Sequence, residues 1–103
     1  MVTLYTFGDS ILDCGRYNEF GVHPGQLLID NNDRLFPEFH AQDLESRVSA
    51  RLEHRARDGA TVTGLQSQAK GLQVKGRAIA LLTIGGNDLL RGLIYDLRGR
   101  RAS

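Results

Sequence analysis

Three stretches of the chain have the hydrophobic pattern of β-strands. Val2–Phe7 and Ile79–Ile84 carry no charged residue and are mostly apolar on both faces, which is typical of strands in a parallel sheet covered by helices on both sides. The uniformly apolar composition of Ile79–Ile84 predicts a central strand. Arg51–Arg57 alternates apolar and charged side chains, a pattern that favours a strand at the edge of a sheet.

The segments between and after these strands predict helices. Phe36–Leu44 has Pro37 in its first turn and a modest apolar stripe, Thr61–Leu72 is a short helix weakened by glycines, and leucine repeats every four residues from Asp88 onward. Strands that alternate with helices imply parallel strands joined by right-handed crossovers. Gly15–Arg34 is the longest irregular stretch and is interpreted as a loop, either one that covers a substrate or one that is merely flexible.

The composition narrows the possible partners and the location. Thirteen Lys and Arg residues against twelve Asp and Glu residues give a net charge of +1, so no nucleic-acid partner is predicted. Cys14 is the sole cysteine, which excludes an intrachain disulfide and a zinc site made of thiolates.

No apolar run approaches the length of about 18 residues that a membrane span needs. Because the first strand begins directly after Met1, we expect no signal peptide and a cytoplasmic location.

Two polar motifs follow the two apolar strands. Gly8–Ser10 ends the first strand, and Gly85–Asp88 follows the third. The carboxyl ends of parallel strands form the edge at which ligands bind in open α/β folds, so that Ser10 can be presented there as a nucleophile. In the alternative interpretation Ser10 only caps a helix. We expect Asp9 to hold the turn through backbone N–H groups and Asp88 to cap the following helix.

With a third motif, these residues resemble the SGNH hydrolases, also called the GDSL family of esterases and lipases. Phe7–Ser10 is similar to the first block of the family, which makes Ser10 the nucleophile by resemblance. Arg57–Thr61 resembles the second block, whose glycine falls on Gly59 and donates a backbone N–H to the oxyanion hole. The asparagine of the third block falls on Asn87, whose side-chain amide is a further oxyanion donor.

The resemblance also implies a fold and an activity. The fold would be a flavodoxin-like, three-layer α/β/α arrangement with a parallel sheet of strand order 2-1-3-4-5, of which residues 1–103 hold the first three strands as the N-terminal part of a single domain. The activity would be that of a serine esterase or acylhydrolase that acts on a small-molecule carboxylic ester. No cofactor is implied, and the spacing of the histidines matches no metal-binding motif.

One part of the family pattern has no counterpart in these residues. The last block, an Asp-x-x-His that supplies the general base and its orienting carboxylate, does not occur. His54 is predicted in mid-strand and His40 in mid-helix, both as packing or surface residues. His23 lies in the loop after Ser10, from which it could approach the serine. We therefore expect a truncated or partial protein without a catalytic His/Asp pair and of doubtful activity by itself.

Two other function classes remain as alternatives. A non-catalytic ligand-binding module would keep the anion-binding donors without a base. A flavodoxin-like or receiver-like regulatory domain is disfavoured, because neither a phosphate-binding glycine loop nor a Walker-type lysine is present. If no fourth strand covers Ile79–Ile84, that strand becomes an open edge, and we expect the chain to self-associate through it.

Overall fold

A computed structural model describes the backbone of residues 1–98 and the side chains of residues 1–93. Within this part of the chain, three strands alternate with three α-helices, and three short 3-10 turns lie between them. In chain order these elements are β1 (Val2–Gly8), α1 (Pro24–Ile29), β2 (Ala50–His54), α2 (Leu65–Ala69), β3 (Arg77–Thr83) and α3 (Gly86–Arg98), with 3-10 turns at Gly15–Tyr17, Pro37–Phe39 and Val62–Gly64.

The three strands form a parallel sheet in the order β2-β1-β3. The prediction of a parallel α/β fold is confirmed, and the described sheet is a small one of three strands. The predicted edge position of β2 is also confirmed. Strand β3, whose composition predicts a central strand, lies instead at the second edge of the described sheet. Helix α1 packs against β1 and β2, and α2 packs against β1.

The core is built around β1, which is buried on both faces. In addition to its apolar residues, this strand buries the hydroxyl-bearing side chains of Thr3 and Thr6. The buried apolar side chains are Val2, Leu4, Tyr5, Leu12, Ala50 and Ala56. The absence of charge from β1 thus reflects its position between two layers.

The interpretation of Gly15–Arg34 as one long loop is wrong, because the segment contains α1. Pro24 occupies the first helical turn, where its missing N–H costs nothing. The side-chain oxygen of Gln26 accepts the N–H of His23 at 2.8 Å, which satisfies a free donor at the start of the helix. Gly25 packs so closely against β1 and β2 that a Cβ would lie 2.9 Å from their side chains. The Pro-Gly pair begins a helix here.

The predicted helix Phe36–Leu44 is also wrong, since only the 3-10 turn Pro37–Phe39 forms. Ala41 has a φ of 61°, in the left-handed region, so the chain leaves the helical conformation there. The carboxylate of Asp43 accepts the N–H of Asn31 at 2.6 Å and ties the segment to the end of α1. The competing hydrogen bonds of a polar loop therefore outweigh a weak apolar stripe.

The later helices follow the prediction more closely. The predicted helix Thr61–Leu72 is reduced to a 3-10 turn and the five residues of α2, since Lys70 is extended and Gly71 has a φ of 73°. Helix α3 forms where it is predicted but begins at Gly86, two residues before Asp88, so that Asp88 lies in its first turn and is not its cap. The side chains of Ile94 and Leu97 lie outside the described residues. None of the helices in residues 1–98 combines the length and apolar character needed to cross a bilayer.

Large apolar side chains on β3 and α3 are exposed. Ile79 and Leu82 on β3 are 44% and 55% exposed, and Leu89 and Leu93 on α3 are 76% and 53% exposed. Such side chains are mostly buried in complete domains. The exposed side chains of β3 belong to the edge strand that lies farthest from β2 in the described sheet.

The buried Asp43 predicts a pH dependence of stability. Hydrogen bonds from the Ser46 hydroxyl and from the N–H of Asn31 lower the pKa of Asp43 below its ordinary value. The stabilisation is therefore present above the unfolded pKa of about 3.9 and is lost as the pH falls through the lower folded value. We expect Asp43→Asn to lower the free energy of unfolding at pH 7 and to reduce its loss between about pH 5 and 2.

The measurement is chemical denaturation at a series of pH values. The control is Asp30→Asn, which changes an exposed aspartate at the end of α1. If the Asp43 and Asp30 variants show the same pH profile as the parent chain, the assignment to Asp43 is wrong.

Candidate active site

Ser10 lies in a tight turn directly after β1. Gly8 has a φ of 135°, a conformation that residues with a Cβ rarely adopt, and it turns the chain out of the strand. The buried carboxylate of Asp9 accepts the N–H of Ile11 at 3.2 Å, and the Asp9 carbonyl accepts the N–H of Asp13 at 2.9 Å. Asp9 thus holds the turn, as predicted. Ser10 is half-buried, and its hydroxyl has no hydrogen-bond partner among the backbone and side-chain groups that the structure describes.

A glutamine that the sequence does not mark as special fastens this turn to α2. The N–H of Gly8 donates to Gln68 Oε1 at 2.7 Å, and Gln68 Nε2 donates to the Gly8 carbonyl at 2.8 Å. The same carbonyl accepts the N–H of Arg57 at 3.0 Å. Strand β2 ends at His54 and therefore does not pair with Gly8 at the end of β1. The side-chain amide of Gln68 supplies the donor and the acceptor that a neighbouring strand would otherwise offer to Gly8.

The two predicted oxyanion donors lie on neighbouring loops. Asn87 Nδ2 donates to the carbonyl of Ala60, the residue after Gly59, at 2.9 Å. Since a side-chain amide has two N–H groups, one remains for another acceptor. Gly59 is exposed and has a φ of 84°, with no atom within 4 Å of the position that a Cβ would take. The positive φ is therefore enough to explain why a glycine occupies this position. The space around Gly59 is open.

Further hydrogen bonds connect the ends of the strands. The two carboxylate oxygens of Asp88 accept the N–H of Val62 at 3.3 and 3.0 Å, so this residue joins two loops in addition to placing negative charge in the first turn of α3. The N–H of Asp9 donates to the carbonyl of Thr83 at 3.1 Å. The segments that carry Ser10, Gly59 and Asn87 are therefore hydrogen-bonded to one another at the carboxyl edge of the sheet.

Two of the three histidines form a cluster with Asp13 that the sequence analysis does not predict. His54 Nδ1 lies 2.8 Å from Thr6 Oγ1, and His54 Nε2 lies 3.1 Å from Asp13 Oδ1. The ring of His23 stacks on that of His54 with centroids 4.3 Å apart. His23 Nδ1 accepts the N–H of Gly15 at 3.2 Å and lies 3.8 Å from Asp13 Oδ1.

The carboxylate of Asp13 assigns the proton on His54, because an ionised carboxylate only accepts and His54 Nε2 must therefore be the donor. The buried Thr6 hydroxyl accepts the N–H of Arg55 at 3.1 Å, so its own proton is available for His54 Nδ1. His54 then carries its proton on Nε2 and donates it to Asp13. Burial favours the neutral form of Asp13, but the hydrogen bonds from His54 and from the N–H of Asp58 outweigh it and hold the pKa of Asp13 below its ordinary value.

The three histidines lie in different elements or have different partners from those that the sequence predicts. His54 is the last residue of β2 and is half-buried, and His23 precedes the first residue of α1. His40 is exposed, as expected, but lies in a loop 2.7 Å from Asp33 Oδ2. Within residues 1–98, none of these imidazoles is hydrogen-bonded to Ser10.

The loop after Ser10 reaches the segment that carries Gly59. The hydroxyl of Tyr17 donates to the carboxylate of Asp58, which raises the pKa of Tyr17, and Arg16 Nη1 lies 3.8 Å from the same carboxylate. The sole cysteine, Cys14, is half-buried and unpaired with any other cysteine. The first part of the loop after Ser10 is therefore attached to the residue before Gly59.

An apolar pocket lies away from this site. It has a volume of about 420 Å³ and is formed between α1 and the segment after it, with Leu27, Leu28, Phe36 and Phe39 among its lining residues. Neither the serine nor the two predicted oxyanion donors contribute to its wall.

Comparison with known proteins identifies no relative of this chain. The chain matches no protein-family model, no curated protein and no solved structure. The functional argument therefore depends on the residues and their geometry.

The Gln68 contact with the Ser10 turn predicts a specific loss of stability. Gln68→Ala leaves the N–H of the buried Gly8 without a partner and removes one of the two hydrogen bonds that its carbonyl accepts. We expect this to lower the free energy of unfolding by roughly 1–3 kcal/mol. Gln68→Glu keeps the acceptor and loses the donor, so its effect should be intermediate. Gln66→Ala, at an exposed position of the same helix, is the matched control.

Chemical denaturation and hydrogen exchange at the Gly8 amide measure the effect. Equal stability and equal Gly8 protection in the Gln66 and Gln68 variants would contradict the proposed contact.

Proposed function

We propose that this chain is the N-terminal part of a serine ester hydrolase of the SGNH (GDSL) type that acts on small carboxylic esters. The observation that supports the proposal best is the joining of three motif segments at the carboxyl edge of the sheet. The turn with Ser10 is hydrogen-bonded to the end of β3, and Asn87 is hydrogen-bonded to the residue after Gly59. A nucleophile and its oxyanion donors need this kind of proximity.

In the proposed mechanism, Ser10 Oγ attacks the ester carbonyl and gives its proton to a general base. The negative charge that develops on the carbonyl oxygen is stabilised by the N–H groups of Ser10 and Gly59 and by the uncommitted N–H of Asn87. Water then hydrolyses the acyl-enzyme with the help of the same base. The open surroundings of Gly59 leave room for the substrate.

The base is the component that the described residues do not bring to Ser10. His23 and His54 are engaged with Asp13, and His40 is paired with Asp33. We propose that the base is provided by a further segment with the Asp-x-x-His block of the resembled family. The cytoplasmic location remains a prediction of the sequence.

A hydrolysis assay tests the nucleophile. The 103-residue chain alone should hydrolyse p-nitrophenyl acetate no faster than its Ser10→Ala variant, because loss of the base in a serine triad costs about 10⁶ in turnover. The chain joined to a family-type C-terminal half should hydrolyse the ester and react with a fluorophosphonate probe. In the joined protein, Asn87→Ala should lower turnover by about 10² to 10³.

Ser49→Ala, at an exposed serine before β2, is the matched control and should keep full activity. If the joined protein folds but reacts with the probe no better than its Ser10→Ala version, the nucleophile assignment is wrong. Ester binding without Ser10-dependent turnover would favour the alternative of a non-catalytic binding module.

We further propose that a second copy of the chain pairs with the free edge of β3. The Thr83 carbonyl faces β1, and the backbone groups of successive residues in a strand alternate in direction. Ala78, Ala80 and Leu82 therefore direct their N–H and C=O groups away from the sheet. Residues 78–83 carry no charge that would oppose pairing.

Sedimentation velocity tests this association. Ala80→Pro removes an outward N–H without touching the pairing with β1, and should shift the chain toward monomer. Ala80→Val keeps that N–H and should associate like the parent. A monomeric parent chain, or equal association of the two variants with unchanged circular dichroism, would exclude pairing through this edge.

A further inference from the structure

A cluster of three metal-ligating side chains lies beside the Ser10 turn. Asp13 Oδ1 is 3.1 Å from His54 Nε2 and 3.8 Å from His23 Nδ1. One ligand atom from each residue lies within 4.8 Å of the other two. The three side chains are between 19% and 25% exposed, so the cluster is shielded and still accessible from solvent.

We propose that Asp13, His23 and His54 bind a divalent transition-metal ion, and that Zn²⁺ is the ion that fits best. Two imidazole nitrogens and one carboxylate form a donor set that Zn²⁺ accepts, with a fourth position for water. Ca²⁺ and Mg²⁺ are held mainly by oxygen atoms, so this set disfavours them. The ligands come from three distant segments, which explains why no metal motif is present in the sequence.

The separations of the ligand atoms are close to those of a tetrahedral site. Bonds of about 2.0–2.1 Å to Zn²⁺ place two ligand atoms about 3.3 Å apart. The pair Asp13 Oδ1 and His54 Nε2, at 3.1 Å, is already near this value. The ring of His23 has to move toward the other two by about an ångström. The His23 ring also has to turn out of its stacking contact with His54, because the ligand lone pair lies in the plane of each ring.

Polar groups behind two of the ligands are arranged as in metal sites. The second oxygen of Asp13 accepts the N–H of Asp58 at 2.7 Å, which orients the carboxylate. Metal-binding histidines usually donate their other ring N–H to a polar partner. When His54 Nε2 binds the ion, its proton moves to Nδ1, and Thr6 Oγ1 at 2.8 Å accepts it. This fully buried hydroxyl remains hydrogen-bonded in both states.

Two hydrogen bonds have to be replaced when the ion binds. His54 gives up its contact with Asp13, and His23 Nδ1 gives up the N–H of Gly15, which now lies at 3.2 Å. The NMR signal of the Gly15 amide should therefore change when the metal site is filled. In return the ion joins the turn after β1, the end of β2 and the start of α1, so we expect it to stabilise the folded chain.

The experiment uses the 103-residue chain without a histidine tag. Zn²⁺ is titrated in competition with a chromogenic chelator, and Co²⁺ is titrated while its visible absorption reports tetrahedral coordination. We expect one ion per chain. His23→Ala, His54→Ala and Asp13→Asn should each weaken binding by about 100-fold or more. His40→Ala is the matched control, because His40 also lies beside an aspartate, Asp33, but belongs to no group of three ligands among the described side chains.

An NMR titration of the unmodified chain keeps the proposal testable if the variants fail to fold. Zn²⁺ should shift the ring signals of His23 and His54 and the amide of Gly15, and should leave His40 unchanged. Equal shifts of all three histidines, or equal affinity in the His40 and His54 variants, would overturn the proposal. Ser10→Ala should bind Zn²⁺ normally, so the metal site and the ester hydrolase proposal can fail independently.

Discussion

Strand β1 is hydrogen-bonded along both of its edges, and the positions of the motif residues follow from that arrangement. It pairs with β2 from Val2 to Thr6 and with β3 from Val2 to Gly8. The pairing brings the loop after β2 and the loop after β3 to the same end of β1 as Ser10. Without the parallel register on both sides, the three motifs would have no common surface.

Polar side chains complete this arrangement where regular strand pairing ends. Gln68 pairs with Gly8 as backbone would, and Asn87 and Asp88 join the two loops. Unpaired polar groups are costly in the interior of a protein. Among the described residues, no buried side-chain nitrogen or oxygen lacks a hydrogen-bond partner. The site is therefore held by specific hydrogen bonds, since only a few apolar side chains are buried around it.

The strands could be predicted from the sequence because their hydrophobic patterns are local and strong. The helices were harder, as Phe36–Leu44 shows: its apolar stripe is weak, and one left-handed residue, Ala41, ends the helical path. The contact of Asp13 with His54 has no local signal at all, because it joins residues 41 positions apart through the register of β2. Motif residues can thus be found by reading the chain, whereas the groups that surround them depend on how distant segments meet.

The connection between the Asp9 turn and the end of β3 also determines when the site can form. Thr83 and Asp9 are 74 residues apart along the chain, and no nearer segment supplies the carbonyl and hydroxyl that Thr83 contributes. Sheets built from such distant partners fold slowly, because the loop between them has to close before their contacts form. During synthesis, the turn that carries Ser10 leaves the ribosome before β3, and its hydrogen bonds with Thr83 can form only after β3 has joined the sheet.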